Sequence, residues 1–186
     1  MHRRDGRLMS NRDIAKSKPQ PFLEIFERYQ EQIFNFILRM TQDCYLAEDL
    51  TQEVFLKLFQ SESNLSRHPN PGAWVFTIAR NMCLNALRNR RSKIGHQNIM
   101  QNAAQEVSVH GNDPYHDLVA RETADLVKKA LAELNENQRE VLILREYHDL
   151  PYRKIAKITQ SSEGRVKSLL FRARETLRKK LQTSRR

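Results

Sequence analysis

The sequence predicts an all-α protein of two small helical domains joined by a flexible linker, the second domain being a helix-turn-helix. Three observations lead to this prediction. The 186 residues include only 5 Gly and 6 Pro, which disfavours a turn-rich β fold. Apolar residues recur at steps of three and four along most of the chain, which is the period of one helix face. A polar stretch without this period separates the two helical parts and has the composition of a linker.

The first domain is predicted at 20–93, after a basic extension at 1–19. We expect three helices with a shared apolar core, at about 22–40, 45–59 and 73–90. A loop is expected at 61–72, because it contains Pro and Asn without apolar periodicity. In the third helix, Trp74 lies on the apolar face and is expected in the core, whereas Phe76 could be core or surface.

The second domain is predicted at 117–182, between a linker at 94–116 and a basic tail at 183–186. Its first helix should end near Leu134, and its inward-facing residues are predicted to be Leu118, Leu126, Ala130 and Leu131. Asn135 is a candidate cap for a helix at 136–147.

The last two helices have the pattern of a helix-turn-helix. Pro151 suits the first turn of a short helix at 152–158, where its missing N–H is not needed. The turn at 159–162 contains serines that can cap a longer, basic helix at 163–181. Four apolar residues of that helix at steps of four, three and four should face the core, namely Val166, Leu170, Ala173 and Leu177. The opposite face is basic and suits the major groove of DNA.

The net charge of +10 is distributed unevenly. Lys and Arg are concentrated in 67–93 and 151–186, whereas 19–66 and 117–150 contain more acidic than basic residues. Two basic blocks indicate polyanion binding at two places. The acidic blocks indicate a different, basic partner.

Other classes of function find little support in the sequence. It has no glycine-rich phosphate loop, no nucleophile with a matching base and no histidine pair at metal spacing, so we expect no catalytic residue, metal or cofactor. Cys44 and Cys83 are expected to be small buried hydrophobes without a disulfide. No apolar run approaches the roughly 18 residues that a membrane span requires, and the basic N-terminus lacks a secretory signal. We therefore expect a cytoplasmic protein without membrane insertion.

Specific stretches of the second domain resemble region 4 of the sigma-70 family, and most closely its small extracytoplasmic-function (ECF) group. They are residues 130–134, 138–141, 144–146, 155–156, 164–168 and 172–174. The resemblance implies that the last helix recognises the minus-thirty-five promoter element. The residues that would do so are Arg165, Lys167, Ser168, Phe171, Arg172 and Arg174, with Arg172 as the best candidate for a base contact.

The turn and the last helix depart from the family pattern at four positions. Gln160 stands where the family usually has Gly, and Ser161 where it has an apolar residue. A non-glycine residue is strained there if the turn requires a left-handed backbone. Arg165 replaces a usual Thr and Leu169 a usual Arg, which leaves the bound DNA sequence open.

In the first domain, residues 47–59 resemble region 2.2 of the same family. The resemblance implies docking on a coiled coil of the polymerase β′ subunit. An acidic face on a rigid helix is physically suited to a basic partner. The residues expected to bind core polymerase are Glu48, Asp49, Gln52 and Glu53.

Residues 73–81 and 84–85 resemble regions 2.3 and 2.4, which open the minus-ten element and hold an unpaired strand. Cations and amides are suited to backbone phosphates and base edges. The predicted minus-ten residues are Arg80, Asn81, Asn85, Arg88, Arg90 and Arg91. The family often has Asp where Asn85 stands, so the base preference there is open.

Together the resemblance covers about 20–93 and 117–182 and implies a sigma factor that directs transcription initiation and is not an enzyme. Its implied partners are core RNA polymerase, through the β′ coiled coil and the β flap, promoter DNA and an anti-sigma factor. One alternative is a stand-alone helix-turn-helix regulator, which leaves 45–91 unexplained. The other is an enzyme that acts on DNA, such as a recombinase.

Overall fold

A computed structural model describes residues 21–61, 65, 68–96 and 126–183, and no strand occurs among them. The predicted all-helical fold is confirmed. The predicted extension at 1–19, residues 184–186 of the predicted tail, most of the predicted linker and Leu118 lie outside the described residues. The helices are α1 (Pro21–Thr41), α2 (Cys44–Gln60), α3 (Pro71–His96), α4 (residues 126–132), α5 (Glu136–Glu146), α6 (Tyr152–Ile158) and α7 (Glu163–Thr183).

Helices α1, α2 and α3 form the first unit, in which α1 contacts both of the others. Asp43 ends the connection between α1 and α2 and caps α2, since its carboxylate accepts from the Leu46 N–H at 3.1 Å. The core consists of the residues that the helical period places inward, among them Ile33, Ile37, Leu50, Val54, Val75 and Ala79. Burying one such side chain contributes about 1.5–3 kcal/mol.

Helix α3 is longer than predicted. It begins at Pro71, inside the predicted loop, because the Asn70 side chain accepts from the Ala73 N–H at 3.1 Å and caps it. It continues to His96, beyond the predicted end at about residue 90.

Of the two aromatic residues at the start of α3, Phe76, which the sequence left open, is the one in the core. Phe76 is buried, with its ring 5.7 Å from Phe36. Trp74 is only partly buried and stacks on His68 at 5.1 Å, so its expected place in the core is corrected. Phe76 is covered instead by Tyr29 and Phe36 of α1 and by His148, which follows α5.

The two cysteines differ in how deeply they are buried. Cys83 is fully buried in α3, and burial raises the pKa of its thiol to about 12, as expected for an inert small hydrophobe. Cys44 is only half-buried, so the expected burial is wrong for this residue. It begins α2 on the outward side, with Sγ 3.8 Å from Glu48.

Helices α4 to α7 form the second unit. Ala130 and Leu131 are buried as predicted, but Leu126 is 40% exposed, and its predicted burial is wrong. Asn135 caps α5 in a reciprocal capping box: it accepts from the Gln138 N–H at 2.9 Å, while the Gln138 side chain accepts from the Asn135 N–H. No helix among the described residues is long and apolar enough to cross a membrane.

The turn between α6 and α7 is stabilised by local hydrogen bonds. Pro151 is the N-cap of α6, one position before the predicted first turn. Gln160 has a φ of 51°, so the turn places this non-glycine residue in the left-handed region. The Ser162 hydroxyl accepts from the Arg165 N–H at 3.2 Å and caps α7 as predicted.

The two units pack against each other, with α5 on α1 and α6 on α3. Five consecutive residues of α5, from Glu140 to Leu144, are buried. Successive residues in a helix are rotated by about 100°, so five of them face every direction around the axis. Helix α5 can bury all five only because α7 covers one side and the first unit covers another.

Candidate functional site: polymerase and nucleic-acid interfaces

The four predicted polymerase-binding residues form one exposed acidic stripe on α2. Glu48, Asp49, Gln52 and Glu53 are all exposed. Leu50, Val54 and Leu58 on the opposite face are buried and fix the orientation of the helix. The stripe is therefore a rigid surface, and its charge is suited to a basic partner.

An apolar groove adjoins the acidic stripe, and the sequence reasoning missed it. The groove has a volume of about 380 Å³ and is lined by Phe26, Phe34 and Phe55, with Gln52 at its edge. Nearby on α2, Leu56 and Phe59 are also exposed. A contiguous apolar patch beside charged residues is typical of a protein-binding surface.

Five of the six predicted minus-ten residues are exposed on α3. Asn81, Asn85 and Arg88 face solvent, and Arg90 and Arg91 follow them toward the end of the helix. Arg90 lies 3.4 Å from the Asp43 carboxylate. Arg91 is ion-paired with Glu136 of α5.

Arg80, the sixth residue, differs from the rest because its side chain is only 14% exposed and is ion-paired with Glu140 of α5. The side chain of Glu140 is only 1% exposed. Burial raises the pKa of the Glu140 carboxyl, and the Arg80 guanidinium opposes that shift. Sequence reasoning missed Glu140, although a carboxylate directly before the apolar run 141–144 is a signal of a buried charge with a partner.

All six predicted minus-thirty-five residues lie exposed on α7. Arg165, Ser168 and Arg172 share one face at steps of three and four. Phe171 is 67% exposed in the middle of this basic surface. An exposed aromatic ring beside cations and a hydroxyl can contact a thymine methyl while its neighbours bind phosphates or base edges.

Arg172 and Arg174 are in different environments. Residues two apart on a helix point in nearly opposite directions, about 200° around the axis. Arg174 donates to the Glu146 carboxylate at 2.6 and 3.2 Å, and this hydrogen bonding raises the pKa of its guanidinium. Arg172 stays exposed on the face that carries Ser168.

Tyr152 is a further residue of this surface that the sequence reasoning missed. The Lys167 ammonium lies 5.9 Å from the centre of its ring and the Arg145 guanidinium 5.4 Å. These are cation–π distances, so Tyr152 at the start of α6 helps to position Lys167 on α7.

Comparison with known proteins agrees with this geometry. Sigma-70 region 2 matches residues 25–93, and Sigma-70 region 4 matches residues 124–177. The ECF RNA polymerase sigma factor SigM of Bacillus subtilis is 31% identical over 83% of this chain and 91% of its own length. The RNA polymerase sigma-H factor of Pseudomonas aeruginosa is 31% identical over 91% and 90%.

Solved structures have the same fold. The sigma factor RpoE of Bartonella quintana, crystallised with the anti-sigma factor NepR, has a TM-score of 0.71 and 25% identity. The comparison covers 88% of this chain and 98% of that one. CnrH in complex with the cytosolic domain of CnrY has a TM-score of 0.65 over 92% and 94% of the two chains.

The region 2 match accounts for the residues that a stand-alone regulator leaves unexplained, and the region 4 match covers the helix-turn-helix. With both regions present and relatives that align along most of their length, the chain belongs to the sigma-70 family of RNA polymerase sigma factors, in its ECF group.

Proposed function

We propose that this sigma factor binds core RNA polymerase through the acidic stripe of α2 and directs transcription initiation by contacting promoter DNA with α3 and α7. It acts in the cytoplasm as a polymerase subunit, without chemistry of its own. The observation that carries the proposal is the division of its exposed charge: an acidic surface on α2 and basic surfaces on α3 and α7.

The acidic stripe supports the first part of the proposal. Its four residues are exposed, and the helix that carries them is held by a buried face. The adjoining groove of Phe26, Phe34 and Phe55 adds apolar area that a carboxylate stripe lacks. Charge steers the partner and apolar contact adds affinity, which together suit a helical segment of core polymerase.

The two basic helices support the second part. On α3, Asn81, Asn85 and Arg88 are exposed with the donors and acceptors that an unpaired strand requires. On α7, Arg172 can donate two hydrogen bonds to a guanine in the major groove, and Lys167 can bind a phosphate. We assign α3 to the minus-ten element and α7 to the minus-thirty-five element.

The third part of the proposal is regulation by an anti-sigma factor. RpoE of Bartonella quintana, which has this fold, was crystallised with the anti-sigma factor NepR. The exposed apolar groove beside the acidic stripe offers such a partner a surface that overlaps Gln52. An inhibitor bound there competes directly with core polymerase.

The proposal is tested by charge reversal in the acidic stripe. Asp49→Lys with Glu53→Lys should weaken binding of the full chain to core polymerase and reduce promoter-specific transcripts in proportion. Glu24→Lys with Glu27→Lys, a double reversal of the same net charge at exposed residues of α1, is the control for net charge. Unchanged affinity of the double variant for core polymerase, measured by fluorescence titration, contradicts the assignment of α2.

A further inference from the structure

The basic extension 1–19 has no part in the proposed function, and it leads into α1 beside the proposed polymerase-binding surface. We propose that this extension folds back along the apolar groove and the acidic stripe of its own chain and covers the core-binding surface until polymerase displaces it. The inference rests on the proposed function, because covering α2 regulates the chain only if α2 binds core polymerase.

The point at which the extension meets the fold is fixed by the packing of α1 on α2. The Phe22 ring lies 5.3 Å from Phe59, and the Phe26 ring lies 4.9 Å from Phe55. The start of α1 therefore lies beside the end of α2, and the two helices are antiparallel. The chain that precedes Pro21 enters at this end of the groove.

Three apolar side chains at this entrance are uncovered. Leu23 is 47% exposed, Leu56 57% and Phe59 54%. They lie at the same end of α1 and α2 as the groove of about 380 Å³ that Phe26 and Phe55 help to line. An exposed apolar surface of this kind marks a place where another segment or protein binds.

Carboxylates border the groove on both helices. Glu31 of α1 lines the groove itself, and Glu48, Asp49 and Glu53 are exposed on α2. Within the part of the chain that the structure describes, Asp49 and Glu53 have no ion-pair partner. The surface thus combines an apolar floor with acidic edges, which favours a segment that has both basic and apolar side chains.

The composition of the extension matches this requirement. Residues 1–19 include six basic and only two acidic side chains, with Leu8, Met9 and Ile14 among them. Lys16 and Lys18 are the basic residues nearest in sequence to the groove. The segment that enters beside the acidic surface therefore has the opposite charge.

The reach of the extension also fits the spacing of the acidic residues. An extended chain spans about 3.3 Å per residue, so Lys18 and Lys16 can reach about 10 and 17 Å from the start of α1. Glu53 and Asp49 precede Phe59 on α2 by about 9 and 15 Å, at about 1.5 Å per helical residue. The two lysines can therefore contact the two carboxylates without any change in the helices.

Attachment to α1 strengthens a contact that would be weak between separate molecules. A segment tethered by a short connection has an effective concentration in the millimolar range. Exposed ion pairs are individually weak and are screened by salt, so polymerase can displace the extension from the same carboxylates. The apparent affinity of the chain for polymerase is then reduced in proportion to the uncovered fraction.

The first experiment detects the contact in the free, full-length chain. A nitroxide is attached to the thiol of Ser10→Cys in a Cys44→Ser background, and the broadening of backbone amide signals is measured by NMR. Cys83 can stay, because burial raises the pKa of its thiol to about 12 and leaves it unreactive.

The amide signals of Gln52 and Leu56 should broaden strongly, and that of Arg172 on α7 much less. The broadening should largely disappear in about 1 M salt, where the Debye length is about 3 Å. Equal broadening on α2 and α7 overturns the proposal. So does broadening that appears only when nitroxide-labelled chain is mixed with unlabelled chain, since the occupant is then a second copy.

The second experiment measures the affinity of full-length variants for core polymerase by fluorescence titration at low salt. Lys16→Gln with Lys18→Gln should tighten binding about threefold, because fewer chains are covered. Arg153→Gln with Lys157→Gln removes the same charge from exposed residues of α6 and should change affinity by less than about 1.5-fold. Equal effects of the two variants, or weaker binding by the first, overturn the inference.

Failure of the proposed function gives a different result. Wild-type chain that does not bind core polymerase contradicts the proposed function, while the NMR broadening still decides whether the extension contacts α2. Normal binding to polymerase without broadening on α2 overturns the covered state alone.

Discussion

Arg172 and Arg174 provide a sharp test of how α7 binds DNA, because they are identical in chemistry and differ in surroundings. Arg172 is exposed on the face of Ser168, whereas Arg174 is hydrogen-bonded to Glu146 on α5. If Arg172 makes a bidentate base contact, Arg172→Ala should cost about 1–3 kcal/mol of promoter affinity, which is about 5–150-fold. If it binds only a phosphate, affinity should fall uniformly across DNA sequences.

The expected cost of Arg174→Ala is smaller and appears in stability. The side chains of Arg174 and Glu146 are 53% and 46% exposed, so the pair is largely screened by solvent. Pairs of this kind contribute up to about 1 kcal/mol, which corresponds to a decrease of roughly 2–4 °C in Tm for a chain of this size. Promoter selection should change little, because the guanidinium already serves as a link between α7 and α5.

The assay uses holoenzyme reconstituted from core polymerase and each full-length variant. Its affinity is measured on duplexes that carry either an intact or a scrambled upstream element, at two salt concentrations. Arg172→Ala should reduce the preference for the intact element, and Arg174→Ala should keep it. A larger loss of preference for Arg174→Ala than for Arg172→Ala refutes the reasoning from helix geometry.

Three further substitutions test the fold. Asn135→Ala removes the capping box of α5 and should destabilise the chain by about 1 kcal/mol in urea unfolding, whereas Asn135→Ser should retain most of that energy. Gln160→Gly relieves a positive φ and should raise Tm, with a gain of up to about 1 kcal/mol; a lower Tm contradicts the strain. Burial lowers the pKa of His148 from 6.5 to about 4. The stability that the buried neutral imidazole contributes is therefore complete above pH 6.5 and is lost as pH falls toward 4. His148→Phe should abolish that part of the pH dependence of Tm. Burial raises the pKa of the Glu140 carboxyl, so this group contributes a pH dependence of opposite sign in both proteins. The difference between wild type and variant therefore isolates the imidazole.

Local features of the fold could be predicted because their causes are local. The helical period identified the buried faces of α1, α2 and α7, and the cap at Asn135 fixed the start of α5. The acidic stripe and the basic face of α7 followed from the same period, since residues opposite a buried face must be exposed. The family pattern marked Gln160 as the position where a left-handed turn would be strained, and its φ is positive.

The departures occur where one unit covers the other or where a helix extends past its periodic residues. Phe76 is buried because Phe36 of α1 and His148 after α5 pack on its ring, and the period of α3 does not determine these contacts. A continuous apolar run in α5 indicates that the helix is buried on every side, but it does not indicate which helices pack against it. The roles of the individual DNA-binding residues stay predictions, to be decided by the substitutions above.

The sequence by itself therefore determined the helices, their buried faces, the two sigma regions and the distribution of charge. Tertiary structure alone decided the partners of those charges: Arg80 of α3 lies against Glu140, sixty residues away, and Arg139 joins the ends of α1 and α4. The physical reason is that side-chain periodicity depends on neighbours three or four residues along the chain. Contact between distant segments depends on how whole surfaces fit, and no short stretch of sequence contains that information.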